Sequence, residues 1–151
     1  MDENIKIYLD TNVIFNYCVD VQKDTAIINY LTKVRQKENL FVSALSVIQI
    51  VSIIQSRNNK KFPTEKKRSA IDNLRKIVKK ITVARLEEKD VEKTLTYDDN
   101  EYDLEDVVHY CVLKKLNCNA IITNNVSDFS QFKKNINVLP AHLGIVKNEI
   151  N

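Results

Sequence analysis

Five short β-rich runs separated by longer helical ones predict an α/β fold. The expected form is a three-layer α/β/α sandwich around a central, mainly parallel five-stranded sheet. Three observations carry this expectation. The β-rich runs are mostly apolar and only three to five residues long, as strands buried on both faces are. The segments between them carry apolar residues at helical spacing, and strand–helix alternation of this kind produces a parallel sheet with helices on both faces. At 151 residues, without internal repeat, linker or low-complexity tract, the chain 1–151 is expected to form one domain.

In chain order, Ile5-Lys6-Ile7-Tyr8-Leu9 is a β-rich run ending at Asp10, and Ala26, Ile27, Tyr30, Leu31 and Val34 have helical spacing. Leu40-Phe41-Val42 is a second strand. Ala44 to Gln55 is apolar nearly all round and too long for a typical strand, which predicts a buried helix. Arg57 to Pro63 is a polar, basic loop, and from Thr64 a helix places Ala70, Ile71, Leu74, Ile77 and Val78 on one face. Ile81 to Ala84 is a third strand, Glu87 to Leu95 a short helix and Tyr97 to Tyr102 an acidic loop. Asp103 to Leu116 is a helix carrying Leu104, Val107, Val108, Cys111 and Leu116 inward. Ala120 to Thr123 and Ile136 to Leu139 supply the last two strands.

Composition narrows the function classes. Charged residues make up 28% of the chain, as in ordinary soluble globular proteins. No stretch approaches the ~18 apolar residues of a membrane span, and the N-terminus lacks a signal-peptide pattern, so a cytoplasmic protein is expected. Cys18, Cys111 and Cys118 are three in number, without C-x-x-C spacing. That argues against a disulfide framework or a zinc site and for small buried hydrophobes. The net charge of +3 says little, but its distribution is uneven. Arg57 to Lys80 holds ten basic and two acidic residues (10 − 2 = +8), and Glu87 to Asp106 ten acidic and two basic (2 − 10 = −8). Either two solvated helix faces or a basic polymer-facing surface beside an acidic ion-collecting one fits that asymmetry.

In a parallel sheet, sites form beyond the carboxyl ends of strands. The first strand ends in Asp10-Thr11-Asn12, and the fourth in Thr123-Asn124-Asn125, with Asp128-Phe129 following. Asp10 either projects a carboxylate into the crevice or caps the next helix. Asn125 and Asp128 either face one centre or form an Asx-rich turn. Asp103 and Asp106 open the long helix at i and i+3, where their carboxylates come close together. Capping and ion binding are compatible there. Carboxylates converging at ~4 Å repel by ~4 kcal/mol per pair at an effective dielectric of ~20, and a divalent cation is the usual resolution. Mg²⁺ prefers one or two carboxylates with waters and substrate phosphate. His109, one turn beyond Asp106, is expected to be partly buried or at the surface, and His142 has no expected role.

Taken together, Tyr8-Leu9-Asp10-Thr11-Asn12, Asp103-Leu104-Glu105-Asp106 and Ile121-Ile122-Thr123-Asn124-Asn125 with Asp128-Phe129 resemble the PIN-domain family. They are most similar to its VapC-like toxins of type II toxin–antitoxin pairs. The first element is similar to the family's "LDTN", the second to its "D-x-x-D" segment and the third to "(I/V)(I/V)TRN-x-x-DF". The resemblance spans nearly the whole chain and implies a PIN-like fold and hydrolysis of RNA phosphodiester bonds by metal-activated water. It implies catalytic Asp10, Asp103, Asp106 and Asp128, with Mg²⁺ or Mn²⁺ on Asp10, Asp106 and Asp103. Thr11, Asn12, Thr123 and Asn125 are implied as supporting residues.

The family's second acid is a glutamate six residues beyond a serine that closes the second strand. Here Ser43 matches the serine and Gln49 stands at the acid's position, keeping an oxygen ligand but losing a charge. The alternative for Gln49 is a thin solvent stripe with Leu45, Ser52 and Ser56. Asn124 stands where the family often has arginine, which removes a phosphate or charge-balancing contact. The resemblance further implies RNA as substrate, a cognate antitoxin as partner, and a homodimer. Lys60, Lys61, Lys66 and Lys67 are candidates for RNA-backbone or antitoxin contact. Loss of activity through Gln49 would leave a PIN fold that binds RNA or protein without cutting.

Overall fold

The computed structural model describes residues 4–56 and 63–151. Five strands, β1 (Ile7–Leu9), β2 (Leu40–Ser43), β3 (Thr82–Ala84), β4 (Ala120–Thr123) and β5 (Asn137–Pro140), form one sheet in the order β3-β2-β1-β4-β5. Every adjacent pair is parallel. The sheet is therefore parallel throughout, which is stricter than the sequence expectation.

Helices α1 (Thr11–Cys18), α2 (Gln22–Val34), α3 (Ala44–Gln55), α4 (Thr64–Ile77), α5 (Glu88–Thr94), α6 (Leu104–Lys115) and α7 (Leu143–Ile150) connect and follow the strands. The alternation of side chains along each strand splits the core in two. Ile7, Leu9, Leu40, Val42, Ala120 and Ile122 join Val13, Ile14, Ile27, Leu31, Ile50 and Leu74 on the face covered by α1 to α4 and α7. Tyr8, Phe41, Ala84, Ile121 and Val138 join Val107, Val112, Phe129 and Phe132 on the face covered by α6 and the segment before β5.

One sequence expectation needs correction, and two helices were not anticipated. The α3 helix is not buried all round: Ser46, Ile50 and Ile54 point inward at i, i+4 and i+8, while Ile48 is 64% and Ile53 43% exposed. Its single covered stripe reflects a place in the outer layer. The segment after β5 forms α7, whose N-cap His142 accepts a hydrogen bond from the Ile145 amide through Nδ1. A lone glycine, Gly144, and a short length hid this helix in the sequence. The immediate start of α1 after β1 was also obscured, because Thr11 to Cys18 interleaves polar and aromatic residues. The three cysteines are buried and free, as expected, and burial pushes the thiols of Cys18 and Cys118 up to about 12. No helix of the described residues is long and apolar enough to cross a membrane.

Sheet order fixes where a site can form. The chain runs from β1 outward through β2 to β3, then crosses back to place β4 on the other flank of β1. This reversal makes the carboxyl ends of β1 and β4 the topological switch point, the place where parallel sheets form a crevice.

Candidate functional site

Asp10 stands at the floor of this crevice. Its backbone N–H donates to the Ile122 carbonyl at 3.0 Å, so β4 fixes the point at which β1 ends. Its carboxylate caps α1 and is only 6% exposed. Oδ1 accepts from the Thr11 amide at 2.8 Å; Oδ2 accepts from Asn12 Nδ2 at 2.9 Å and Thr123 Oγ1 at 2.7 Å. Such donors hold a carboxylate in one orientation. The Thr123 hydroxyl in turn accepts from the Asn125 amide at 2.9 Å, which shapes the turn after β4. Thr11, Asn12 and Thr123 are thus brought onto Asp10. Asn125 contributes its backbone, with its side chain exposed.

The opposite wall is the start of α6. Asp103 is its N-cap, with Oδ1 accepting from the Glu105 amide at 2.9 Å, so the capping alternative is realised and Oδ2 stays free. Asp106 in the first turn is half-buried. Burial, and then the charges of Asp103, Asp128, Asp10 and Glu105, push its carboxyl up to about 7. Asp10 at the end of β1, Asp103 at the cap of α6 and Asp128 after β4 are thus near enough for their charges to act on Asp106. Asp128 itself is exposed.

The other member of the crevice comes from α3. Ser43 closes β2 and caps α3 through the Leu45 amide at 3.0 Å. One turn on, Ser46 is fully buried, and its Oγ is 2.6 Å from Thr11 Oγ1. Gln49, at i+3 from Ser46, is half-buried; its Oε1 is buried without a hydrogen-bond partner. An orphaned buried oxygen is costly, so the thin-solvent-stripe alternative does not describe this residue, although Ser52 and Ser56 are exposed.

Two groups of residues escaped the sequence reading. His109 is 1% exposed, not partly buried or at the surface. Its Nδ1 is 2.7 Å from the Tyr8 hydroxyl and its Nε2 3.4 Å from Thr11 Oγ1. Burial lowers the imidazole below its usual range, and a neutral ring that accepts at Nδ1 carries its proton at Nε2. The chain Tyr8–His109–Thr11–Ser46 therefore runs beneath the crevice. An aromatic hydroxyl one residue before the strand-end acid was the available signal. The second group surrounds Asp24, which is fully buried on α2. Its Oδ2 accepts from Asn16 Nδ2 at 2.5 Å and Asn124 Nδ2 at 3.2 Å. Asn124 also accepts from the Lys23 ammonium at 2.5 Å, so a cation reaches the place where the sequence lacks the expected arginine. Polar residues spaced along α2 gave no such signal.

Among the described residues, no three Asp, Glu, His or Cys side chains lie close enough together to enclose an ion by themselves. The arrangement instead suits a hydrated Mg²⁺ or Mn²⁺, which takes one or two carboxylates and completes its shell with water and phosphate. Asp10, Asp103, Asp106 and the orphaned Gln49 oxygen would offer such an ion oxygen donors alone. A groove of 710 Å³ lined by Cys118, Asn119 and Lys133 to Val138 opens at the other end of the sheet, remote from these acids. Of the basic candidates, Lys66 is exposed at the start of α4 and Lys67 donates to the Ser56 carbonyl at 3.3 Å. Lys60 and Lys61 lie outside the described residues.

Comparison with solved structures finds the same fold in other proteins. The VapBC2 complex of Rickettsia felis bound to a promoter DNA fragment matches with a TM-score of 0.65 and 12% identity, over 90% of this chain and 98% of that one. FitAcB of Neisseria gonorrhoeae matches with a TM-score of 0.63 and 19% identity, over 89% and 97%. VapC20 of Mycobacterium tuberculosis, a sarcin–ricin-loop-cleaving toxin, matches with a TM-score of 0.55 and 12% identity, over 77% and 87%. No curated protein matches significantly in sequence. The PIN domain family model matches residues 7–135, nearly the whole strand-and-helix framework described above, and the chain therefore belongs to the PIN domain family.

Proposed function

We propose that this PIN domain is a metal-dependent endoribonuclease, the toxin of a toxin–antitoxin pair. The observation that carries this reading is the place of Asp10, Asp103 and Asp128 at the end of β1, the α6 cap and the β4 turn, with burial and their charges pushing the Asp106 carboxyl up to about 7. Asp10, Asp106 and Asp103 would hold Mg²⁺ or Mn²⁺, with Gln49 Oε1 as a neutral ligand. When bound, the ion would supply a nucleophilic water at neutral pH and neutralise charge on the phosphate.

The chain's own residues do the positioning. Thr123, Asn12 and the Thr11 amide fix the Asp10 carboxylate, leaving Oδ1 with acceptor capacity toward the crevice. The N-terminus of α1 adds its partial positive charge beside Asp10. Asp128 and Asp106 stand as acceptors for the proton of an attacking water, which is returned to the leaving oxygen. RNA as substrate is supported by the likeness to VapC20, a sarcin–ricin-loop-cleaving toxin, and an antitoxin partner by the likeness to the VapBC2 and FitAcB structures. A homodimer and RNA or antitoxin contacts through Lys60, Lys61, Lys66 and Lys67 belong to the same reading.

The test is cleavage of a pool of structured RNA by wild type and Asp10→Asn, with Mg²⁺, Mn²⁺ or EDTA. Metal-dependent cutting by wild type alone is expected. Cutting that survives EDTA, or is equal in Asp10→Asn, overturns the reading. Gln49 favours a second reading, a PIN domain that binds RNA or protein without cutting. An inactive wild type that becomes active as Gln49→Glu would identify a nuclease silenced at one ligand; continued inactivity would leave the binding role.

A further inference from the structure

We propose that Lys23 is a phosphate-binding residue of this site, its ammonium presented to the RNA strand by Asn124 at the β4 end of the crevice. This rests on the ribonuclease reading and adds to it a residue of α2 that carries no recognisable motif.

A chain of oriented amides links Lys23 to Asp10. Asn12 Nδ2 donates to Asp10 Oδ2 at 2.9 Å, which turns Asn12 Oδ1 toward β4. That oxygen accepts from the Asn124 backbone N–H at 3.2 Å and from Asn124 Nδ2 at 3.3 Å. Asn124 Nδ2 also donates to Asp24 Oδ2 at 3.2 Å. Both protons of the Asn124 amide are thereby engaged, and its Oδ1 is left for the Lys23 ammonium at 2.5 Å. Asp24, without any exposed surface, holds this orientation from beneath, helped by Asn16.

A purely structural ion pair between Lys23 and Asp24 accounts for less of the geometry. The ammonium is 3.9 Å from Asp24 Oδ1, which makes no hydrogen bond, and its short contact is to a neutral amide instead. The Lys23 side chain is 55% exposed. An ammonium has three donors; Asn124 uses one, and exposure leaves the others open to an incoming oxyanion. An RNA phosphate approaching the acids of this crevice is repelled by them, and a fixed cation on the wall offsets part of that repulsion.

Binding of a short labelled single-stranded RNA in EDTA tests the proposal, with affinity followed against salt for wild type, Lys23→Met and Lys23→Arg. Loss of one phosphate contact should lower the slope of log affinity against log salt by about 0.7 and weaken all sequences alike. Lys23→Arg should restore both, and thermal midpoints control for folding. A merely structural lysine would shift the midpoint and leave the slope as it was. If wild type cuts RNA with metal and Lys23→Met keeps the wild-type slope, the Lys23 assignment falls alone. If wild type neither cuts nor binds the RNA, the nuclease reading falls and takes this assignment with it.

Discussion

The two walls of the crevice hold their acids in opposite ways. On the β1–β4 wall, Asp10 is buried and accepts three hydrogen bonds from Thr11, Asn12 and Thr123. On the α6 wall, Asp106 is half-buried among like charges and its carboxyl is pushed up to about 7. The first wall is a finished scaffold that needs nothing further to be stable. The second stores an electrostatic penalty that a bound cation would relieve. In the proposed site both walls would offer ligands, but only the first is also a pillar of the fold.

That contrast breaks most visibly at Asp10. Asp10→Ala strands the buried Thr123 hydroxyl and removes the α1 cap, so unfolding free energy should fall by about 2 kcal/mol or more. RNA cleavage should fall by at least ~100-fold, as when a group aimed at the reacting charge is removed. Asp106→Asn should lose comparable activity yet leave the metal-free protein at least as stable near neutral pH. Denaturant unfolding beside a cleavage assay checks both, and equal destabilisation by the two variants would erase the distinction between the walls.

His109→Phe comes next, because it leaves the buried Tyr8 hydroxyl without its acceptor. A loss of about 1–3 kcal/mol is expected by the same denaturant measurement, with metal binding kept. Unchanged stability would mean that the chain beneath the crevice supports nothing.

A smaller effect concerns pH. The folded-state carboxyl of Asp106 is raised to about 7, so the folded protein holds its proton more tightly than the unfolded chain does. The stability this contributes is present below the ordinary carboxylate range of ~4 and is lost as pH rises through about 7. Thermal melts without metal should show that decline, and Mg²⁺ should restore stability above neutral pH but not in acid. The smallest expected change is Gln49→Glu, which returns a charge to the donor set and should tighten Mn²⁺ binding about tenfold, the range in which metal sites respond to single supporting groups. Calorimetric titration reads this directly, and weaker binding would remove Gln49 from the site.

Most of the framework was legible because strands buried on both faces must be short apolar runs, as Ile7–Leu9 and Ala120–Thr123 are. Strand ends then pointed to Asp10 and Thr123. The fold was less legible where a helix is short or mixed in character: α1 and α7 have eight residues each and little contiguous apolar pattern. The exposure of Ile48 and Ile53 was hidden for another reason, since an apolar residue on an outer face looks the same in sequence as one inside. At the site, carboxylates after strands were visible. The partners that orient them were not: Ser46, His109, Asp24 and Lys23 become neighbours only through tertiary crossing, at separations of up to about a hundred residues.

The central claim, an α6 wall prepared for a cation, is tested most directly by titrating Mn²⁺ into wild type and Asp106→Asn in buffers on either side of pH 7. Wild type should bind more tightly above the point near 7 at which Asp106 loses its proton, and Asp106→Asn should bind weakly without that pH dependence. Equal affinity for the two proteins at both pH values would contradict the account.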